Sequence, residues 1–196
     1  MNDYATLAEL KGKLDITDTN DDSELQSILA AVSRVIDEIC GRFFYREAQT
    51  RYYTAESGDY LQPGDLVSIS ASGLTSDDNG DRVYETTWAT TDYDLWPYNA
   101  ALDSKPYTEI QVSPVGNYSF PTGAKAVKLV AVFGWPSVPN AIKDACLLWS
   151  ERIWKRRDAI FGVMGSIETG MIRISGADPD VERLLQPYVK LEARGV

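Results

Sequence analysis

The sequence predicts an α+β protein, a helical bundle core interrupted by an inserted antiparallel β domain. Apolar residues recur at spacings of three and four before Cys40 and again after Pro139. Between these stretches the period falls toward two, and the composition turns aromatic and β-branched. Glycine and proline mark both changes, at Gly41 and at Trp135-Pro136 with Val138-Pro139. The expected organisation is residues 1–42 with 134–196 as a helical core ending in a C-terminal arm, and residues 43–133 as the insertion.

Thr6 followed by Glu9 is a capping-box signature and opens a short helix running to about Leu14. Thr19 or Asn20 is expected to cap a second helix, with Asp21, Asp22 and Glu24 favourable against its positive end. Its apolar positions are Leu25, Ile28, Leu29, Val32, Val35, Ile36 and Ile39, and Gly41 is the expected stop. Five segments then read as strands: Phe43 to Thr54, Leu66 to Leu74, Arg82 to Ala89, Tyr107 to Val112 and Ala126 to Phe133. Asn79-Gly80 tolerates the positive φ of a tight hairpin turn between two of them. From about Asn140 to Arg157 the helical period returns, with Ile142, Ala145, Cys146, Trp149 and Ile153 on one face and Leu148 and Trp154 widening it. Such a helix is expected to be covered on two sides, so Ile28 to Ile39 is expected to pack against Ile142 to Ile153. Asp178-Pro179 opens a last helix through Val181, Leu184 and Leu185, which Pro187 should kink or end.

The 196 residues carry 29 acidic and 19 basic side chains, a formal net charge of -10, so general attraction to a nucleic-acid backbone is not expected. The imbalance is uneven. Residues 1–39 hold nine acids and three bases, whereas residues 140–196 hold eight and nine, which suggests two faces that meet head to tail across identical subunits. No apolar run approaches the length of a bilayer span, and the first residues lack a basic n-region and an apolar h-region, so no membrane association is expected. Cys40 and Cys146 read as two buried thiols of a reducing cytosol.

There is no histidine, which excludes His-based triads and His-ligated metals, and two distant cysteines make no thiolate site. No Gly-rich phosphate loop is present. Carboxylate pairs are what remains for catalysis, Asp92 with Asp94 or Asp178 with Asp180, and both read better as strand entry and helix capping. Thr75 to Thr86 places Gly80 as a calcium loop does, but Thr75 and Thr86 fail the first and last ligand positions. No catalytic residue, metal or cofactor is therefore expected.

Lys155, Arg156 and Arg157 are the one concentration of positive charge. They read either as cations offsetting the end of their own helix, with Glu151 pairing Lys155, or as a docking site for an acidic neighbour. After them come Phe161, Val163, Met164, Ile167, Met171, Ile172 and Ile174 among four glycines, a pattern that does not fit a helix. They read either as a small hairpin tucked on its own core or as an arm that orders against a neighbour.

The opening YATLAELKGKLDITDTNDDSELQSILAAVSRVIDEICGRFF, the strand DYDLWP, the helix GWPSVPNAIKDACLLWSERIWKRRDAIFGV and the ending ADPDVERLLQPYVK together resemble the tailed-bacteriophage head-to-tail connector family. These are the adaptor proteins beneath the portal. The resemblance spans nearly the whole chain and is to the longer branch with a β insertion, also found in gene transfer particles. It implies a structural virion protein and no enzyme: a homo-oligomeric ring, typically dodecameric, that binds the portal protein and continues the DNA channel to a stopper or tail completion protein. Assembly in the host cytoplasm and residence at the virion neck follow. DNA would pass without sequence-specific binding, along a wall for which Asp21, Asp22 and Glu24 are candidates. The intersubunit or portal interface is expected at Lys155, Arg156, Arg157, the seven apolar residues of the 159–177 stretch, and Tyr188 and Val189 of the tail. Two other readings stand beside it. One is a monomeric β-rich module binding glycan or protein on Trp88, Tyr93, Trp96 and Tyr98, and the other a carboxylate-dependent hydrolase.

Overall fold

A computed structural model describes residues 2–157, 163–164, 172–173 and 179–190. The protein is a mixed α+β chain whose sheets are all antiparallel among the described residues. It divides into two compact units, Met1–Phe43 with Val138–Val196, and Phe44–Ser137.

In the first unit, helix α1 (Leu7–Leu14) forms the predicted capping box. Glu9 N–H donates to Thr6 Oγ1 at 3.2 Å, and Thr6 N–H donates to Glu9 Oε2 at 2.9 Å. Helix α2 (Asp22–Cys40) starts later than the sequence suggests, with Asp21 as N-cap. The Asp18 carboxylate accepts the Asn20 N–H at 3.0 Å, and this local turn spends the residues that would have capped the helix. Gly41 closes α2 in the left-handed region, φ 62°. Helix α3 (Asn140–Arg156) packs against α2, and α1 and α4 (Pro179–Leu185) also contact α3. Past α4, Gln186–Tyr188 tightens into a 3₁₀ turn containing Pro187.

The buried stripe of α2 is Leu25, Leu29, Val32, Ser33, Ile36 and Cys40, while Val35 and Ile39 stay exposed. The seven apolar positions of this helix span more of its circumference than one partner covers, so only part of the set enters the core. On α3 the buried residues are Ile142, Ala145, Cys146, Leu147, Ser150 and Trp154, with Trp149 and Ile153 half-buried. Between the helices Ser33 Oγ lies 3.6 Å from Cys146 Sγ, accepts Tyr4 N–H at 3.1 Å and donates to Leu29 O at 2.7 Å. Both cysteines are free and buried, and burial pushes the Cys40 thiol up to about 11 and Cys146 upward as well. The strands β8 (Val163–Met164) and β9 (Ile172–Arg173) pair antiparallel, as a small hairpin does.

The second unit holds two sheets. The larger has the order β1-β7-β3-β4, built from β1 (Arg46–Tyr53), β3 (Leu66–Ser76), β4 (Thr86–Thr87) and β7 (Val127–Gly134). The smaller has the order β2-β6-β5, from β2 (Tyr60–Leu61), β5 (Tyr93–Trp96) and β6 (Glu109–Val112). Strand β7 is flanked on both sides and alternates buried Val127, Leu129, Ala131 and Phe133 with half-buried neighbours. Trp88 stacks on Phe120 at 4.5 Å and donates its Nε1–H to Ser76 Oγ at 3.1 Å.

The expected strand from Arg82 to Ala89 shrinks to Thr86–Thr87, and Asn79-Gly80 sits in a longer loop. The Asp77 carboxylate explains this, because it accepts the N–H of Gly80 at 2.7 Å and of Arg82 at 2.8 Å. Those donors would otherwise serve a ladder. Strand β3 slips register between Ile69 and Leu74. There Gly73 lies so close to β7 that a Cβ would stand 2.3 Å from Val130 O and 2.8 Å from Ser70 O.

Two outcomes follow. Gly73→Ala forces a Cβ against the backbone oxygens of Val130 and Ser70 and should cost about 1–3 kcal/mol in urea denaturation, comparable to overpacking a core; unchanged stability would show that the β3 slip is not held by that approach. Glu9, hydrogen-bonded and ion-paired to Lys143 and capped by Thr6, is drawn down from 4.5 to about 2. Its contribution is therefore complete above 4.5 and is lost as pH falls toward 2. Glu9→Gln should lower stability most above pH 4.5 and least near pH 2, so its acid-unfolding curve is flatter over that range than that of the wild type.

Candidate assembly surface

The basic residues at the end of α3 meet acids of their own unit. Lys155 Nζ reaches Glu151 Oε1 at 2.7 Å, the local i,i+4 pair. Arg157 Nη1 lies 3.5 Å from Asp21 Oδ1 and 3.7 Å from Glu24 Oε2, and its guanidinium carbon stands 3.6 Å from the Trp154 ring centre. Lys11 Nζ pairs with Asp22 Oδ1 at 2.5 Å. The three acids considered for a channel wall, and two of the three cations considered for docking, are thus ion-paired within the first unit. Arg156, half-buried, has no ion pair among the described residues. Each exposed pair contributes no more than about 0.2–1 kcal/mol, so the pattern concerns surface charge more than stability.

Of the other interface residues, Tyr188 is half-buried and Val189 is exposed. The chain there is tied down, since Lys190 N–H donates to Cys40 O at 2.8 Å and Arg152 pairs with Asp180 at 3.0 Å. Val163, Met164 and Ile172 are described in their backbone alone. Phe161, Ile167, Met171 and Ile174 lie outside the described residues, as does Asp178.

The sequence reading missed the segment before α1. Arg34 donates to Asn2 O at 2.7 Å, Gln26 donates to Asp3 Oδ2 at 2.5 Å, and the Tyr4 hydroxyl donates to Asp37, which also pairs with Arg34 at 3.1 Å. Tyr4 and Ala5 are buried. Burial pushes the Asp37 carboxyl up, against the lowering effects of Tyr4 and Arg34. No periodic signal marks so short a segment.

The proposed stacking aromatics separate. Trp88 is buried, Tyr93 is half-buried, and only Trp96 and Tyr98 are exposed, edge to face at 4.9 Å. Asp92 Oδ2 accepts the Ala89 N–H at 2.7 Å, which makes it a turn residue, while Asp94 is exposed opposite Gln111. Asp77, Asp81 and Glu85 bring carboxylate oxygens within 4.8 Å of one another. Burial works against the ionised Asp77, and backbone N–H groups, Arg82 and Gly80 foremost, overcome it and hold the carboxyl low. A cleft of about 130 Å³ beside Tyr53, Glu56 and Tyr60 is smaller than the roughly 300 Å³ of an ordinary ligand pocket. Among the described residues no helix is long and apolar enough to cross a membrane.

The fold defines an α+β chain in which an antiparallel β unit interrupts a set of packed helices. No family model matches the chain, and no curated protein matches it. Solved structures do. A chain from the neck of an empty GTA particle computed with C6 symmetry is similar at 19% identity and a TM-score of 0.59, covering 97% of this chain and 91% of that one. A chain from the neck of a native GTA particle computed with C12 symmetry is similar at 18% identity and a TM-score of 0.55, with the same coverage. A third comes from the virion of a native gene transfer agent particle, at 18% identity and a TM-score of 0.51. These likenesses show a shared fold over both units.

Arg157→Ala removes the contacts to Asp21, Glu24 and Trp154, and should lower the unfolding free energy by about 0.5–2 kcal/mol at low salt. A loss that stays the same in concentrated salt would assign the whole effect to stacking on Trp154.

Proposed function

We propose that this protein is a structural component of a phage-like neck, a head-to-tail connector subunit. In this reading it forms a homo-oligomeric ring, dodecameric by its resemblance, that attaches beneath a portal protein. The ring continues the DNA channel toward a stopper or tail completion protein. The observation that carries the reading is the fold match over 97% of this chain and 91% of a neck chain, spanning the helices and the β insertion together. Assembly in the host cytoplasm and residence at the virion neck belong to the same proposal.

The chemistry is compatible with a passive channel. A net charge of -10 disfavours tight phosphate contacts, whereas a basic wall would retain DNA through many neutralised phosphates. Asp21, Asp22 and Glu24 remain the proposed wall acids of the helical core. Because Arg157 and Lys11 partly offset them, the net acidity of the whole chain carries most of the repulsion. Lys155, Arg156, Arg157, the apolar 159–177 stretch, Tyr188 and Val189 are the proposed contacts to neighbouring subunits or portal. The absence of histidine from the sequence and the turn role of Asp92 favour structure over catalysis.

Particles made without this chain should carry filled heads that fail to join tails, and a cryo-EM map of complete particles should hold the chain as a ring at the neck. Tailed particles of normal yield without it would overturn the assignment. Deleting residues 188–196 should leave a folded protein that captures portal poorly in a pull-down; undiminished capture would remove the tail from the interface.

A further inference from the structure

The smaller sheet of the β unit has one apolar face and one that is aromatic and acidic. Leu61 and Ile110 are buried on the first. In the antiparallel register Tyr60 and Asp94 oppose Gln111, and Trp96 opposes Glu109, so all five share the other face. Tyr98 extends it. Its hydroxyl is 3.1 Å from Gln111 Oε1, Gln111 Nε2 donates to Glu109 Oε1 at 2.6 Å, and its ring meets Trp96 edge to face at 4.9 Å. Trp96 is 42% and Tyr98 57% exposed. Two carboxylates beside an open indole, with no base among the residues of that face, make a surface suited to a cation. A guanidinium there would lie on the ring and pair with Asp94 or Glu109.

The chain already uses this chemistry. Arg157 lies on Trp154 at 3.6 Å with Asp21 and Glu24 within 3.7 Å. Next to it Arg156 has no ion pair among the described residues. One unit therefore carries a cation to donate, and the other carries an aromatic and acidic face to receive one.

We propose that the Asp94, Trp96, Tyr98 and Glu109 face of one copy receives Arg156, at the basic end of α3, from a second copy of the chain. In the ring reading each copy gives Arg156 to one neighbour and receives it from another, a heterologous contact that repeats head to tail and closes into a ring or extends as a filament. This rests on the ring reading above and deepens it by naming a contact.

The test uses the full-length chain in sedimentation velocity with light scattering at low and high salt. The wild type should self-associate in a salt-sensitive way. Trp96→Ala should weaken association by about tenfold, and Asp94→Arg or Arg156→Glu should abolish it while near-ultraviolet circular dichroism stays native. Mixing Asp94→Arg with Arg156→Glu in equal amounts should restore association, because each variant offers the charge the other lacks. A wild type that is monomeric at every concentration, a variant that associates normally, or a mixture no better than its components would overturn the proposal. So would carbohydrate binding on a glycan array that is lost in Trp96→Ala while association is unchanged. Incorporating Asp94→Arg into particles separates the two ideas: a normal neck ring refutes this contact alone, whereas a neck lacking the chain even in wild type refutes the connector reading.

Discussion

The pairing of β1 with β7 is the constraint on which the rest depends. Eight consecutive partners run from Arg46 opposite Gly134 to Tyr53 opposite Val127. The first and last strands of the β unit are therefore neighbours, and its two ends emerge side by side. An excursion closed in this way can interrupt a helical unit without separating the helices before and after it. Helices α2 and α3, distant in sequence, pack on each other, with Ser33 of one beside Cys146 of the other. Strand β7 also holds β3, so a defect in this one strand would open both ladders. Its alternate residues Val127, Leu129, Ala131 and Phe133 are buried, so one face of the strand supplies the core of the β unit.

Charge in this protein is organised around local compensation within net acidity. The first 39 residues carry a large acidic excess, and part of it is met by Lys11, Lys143 and Arg157 inside the same unit. What reaches the surroundings is a diffuse negative field, with Arg156 outside any ion pair among the described residues. Such a surface repels polyanions at long range, while the proposed contact would bring one arginine to one aromatic and acidic face of a like copy at short range. The proposed DNA passage and the proposed lateral assembly would make compatible demands on it.

The long elements were legible because each carries several turns or repeats of a period. Thr6 with Glu9, Gly41, and the run from Asn140 gave helix boundaries from local chemistry, and the structure forms them. Elements of two to four residues were not all legible. Tyr60–Leu61 is too short for a period, and Thr86–Thr87 depends on where the Asp77 carboxylate sends its hydrogen bonds. The strap at Asn2 to Ala5 was invisible for a similar reason: Arg34, Gln26 and Ser33 hold it, and they lie far along the chain. The basic cluster was conspicuous in the sequence, but that Arg157 is committed to Asp21 and Glu24 needed the helices in three dimensions.

By itself the sequence determined the α+β class, the helix signals, the strand at Ala126 to Phe133, the net acidity and the absence of histidine chemistry. These are properties of composition or of contacts within a few residues. Tertiary structure alone decided which of the seven apolar positions of α2 face the core, which two of four aromatics reach solvent, and that Arg157 meets Asp21 and Glu24. Each of those depends on a partner dozens of residues away, and a partner's direction is not written in any local period.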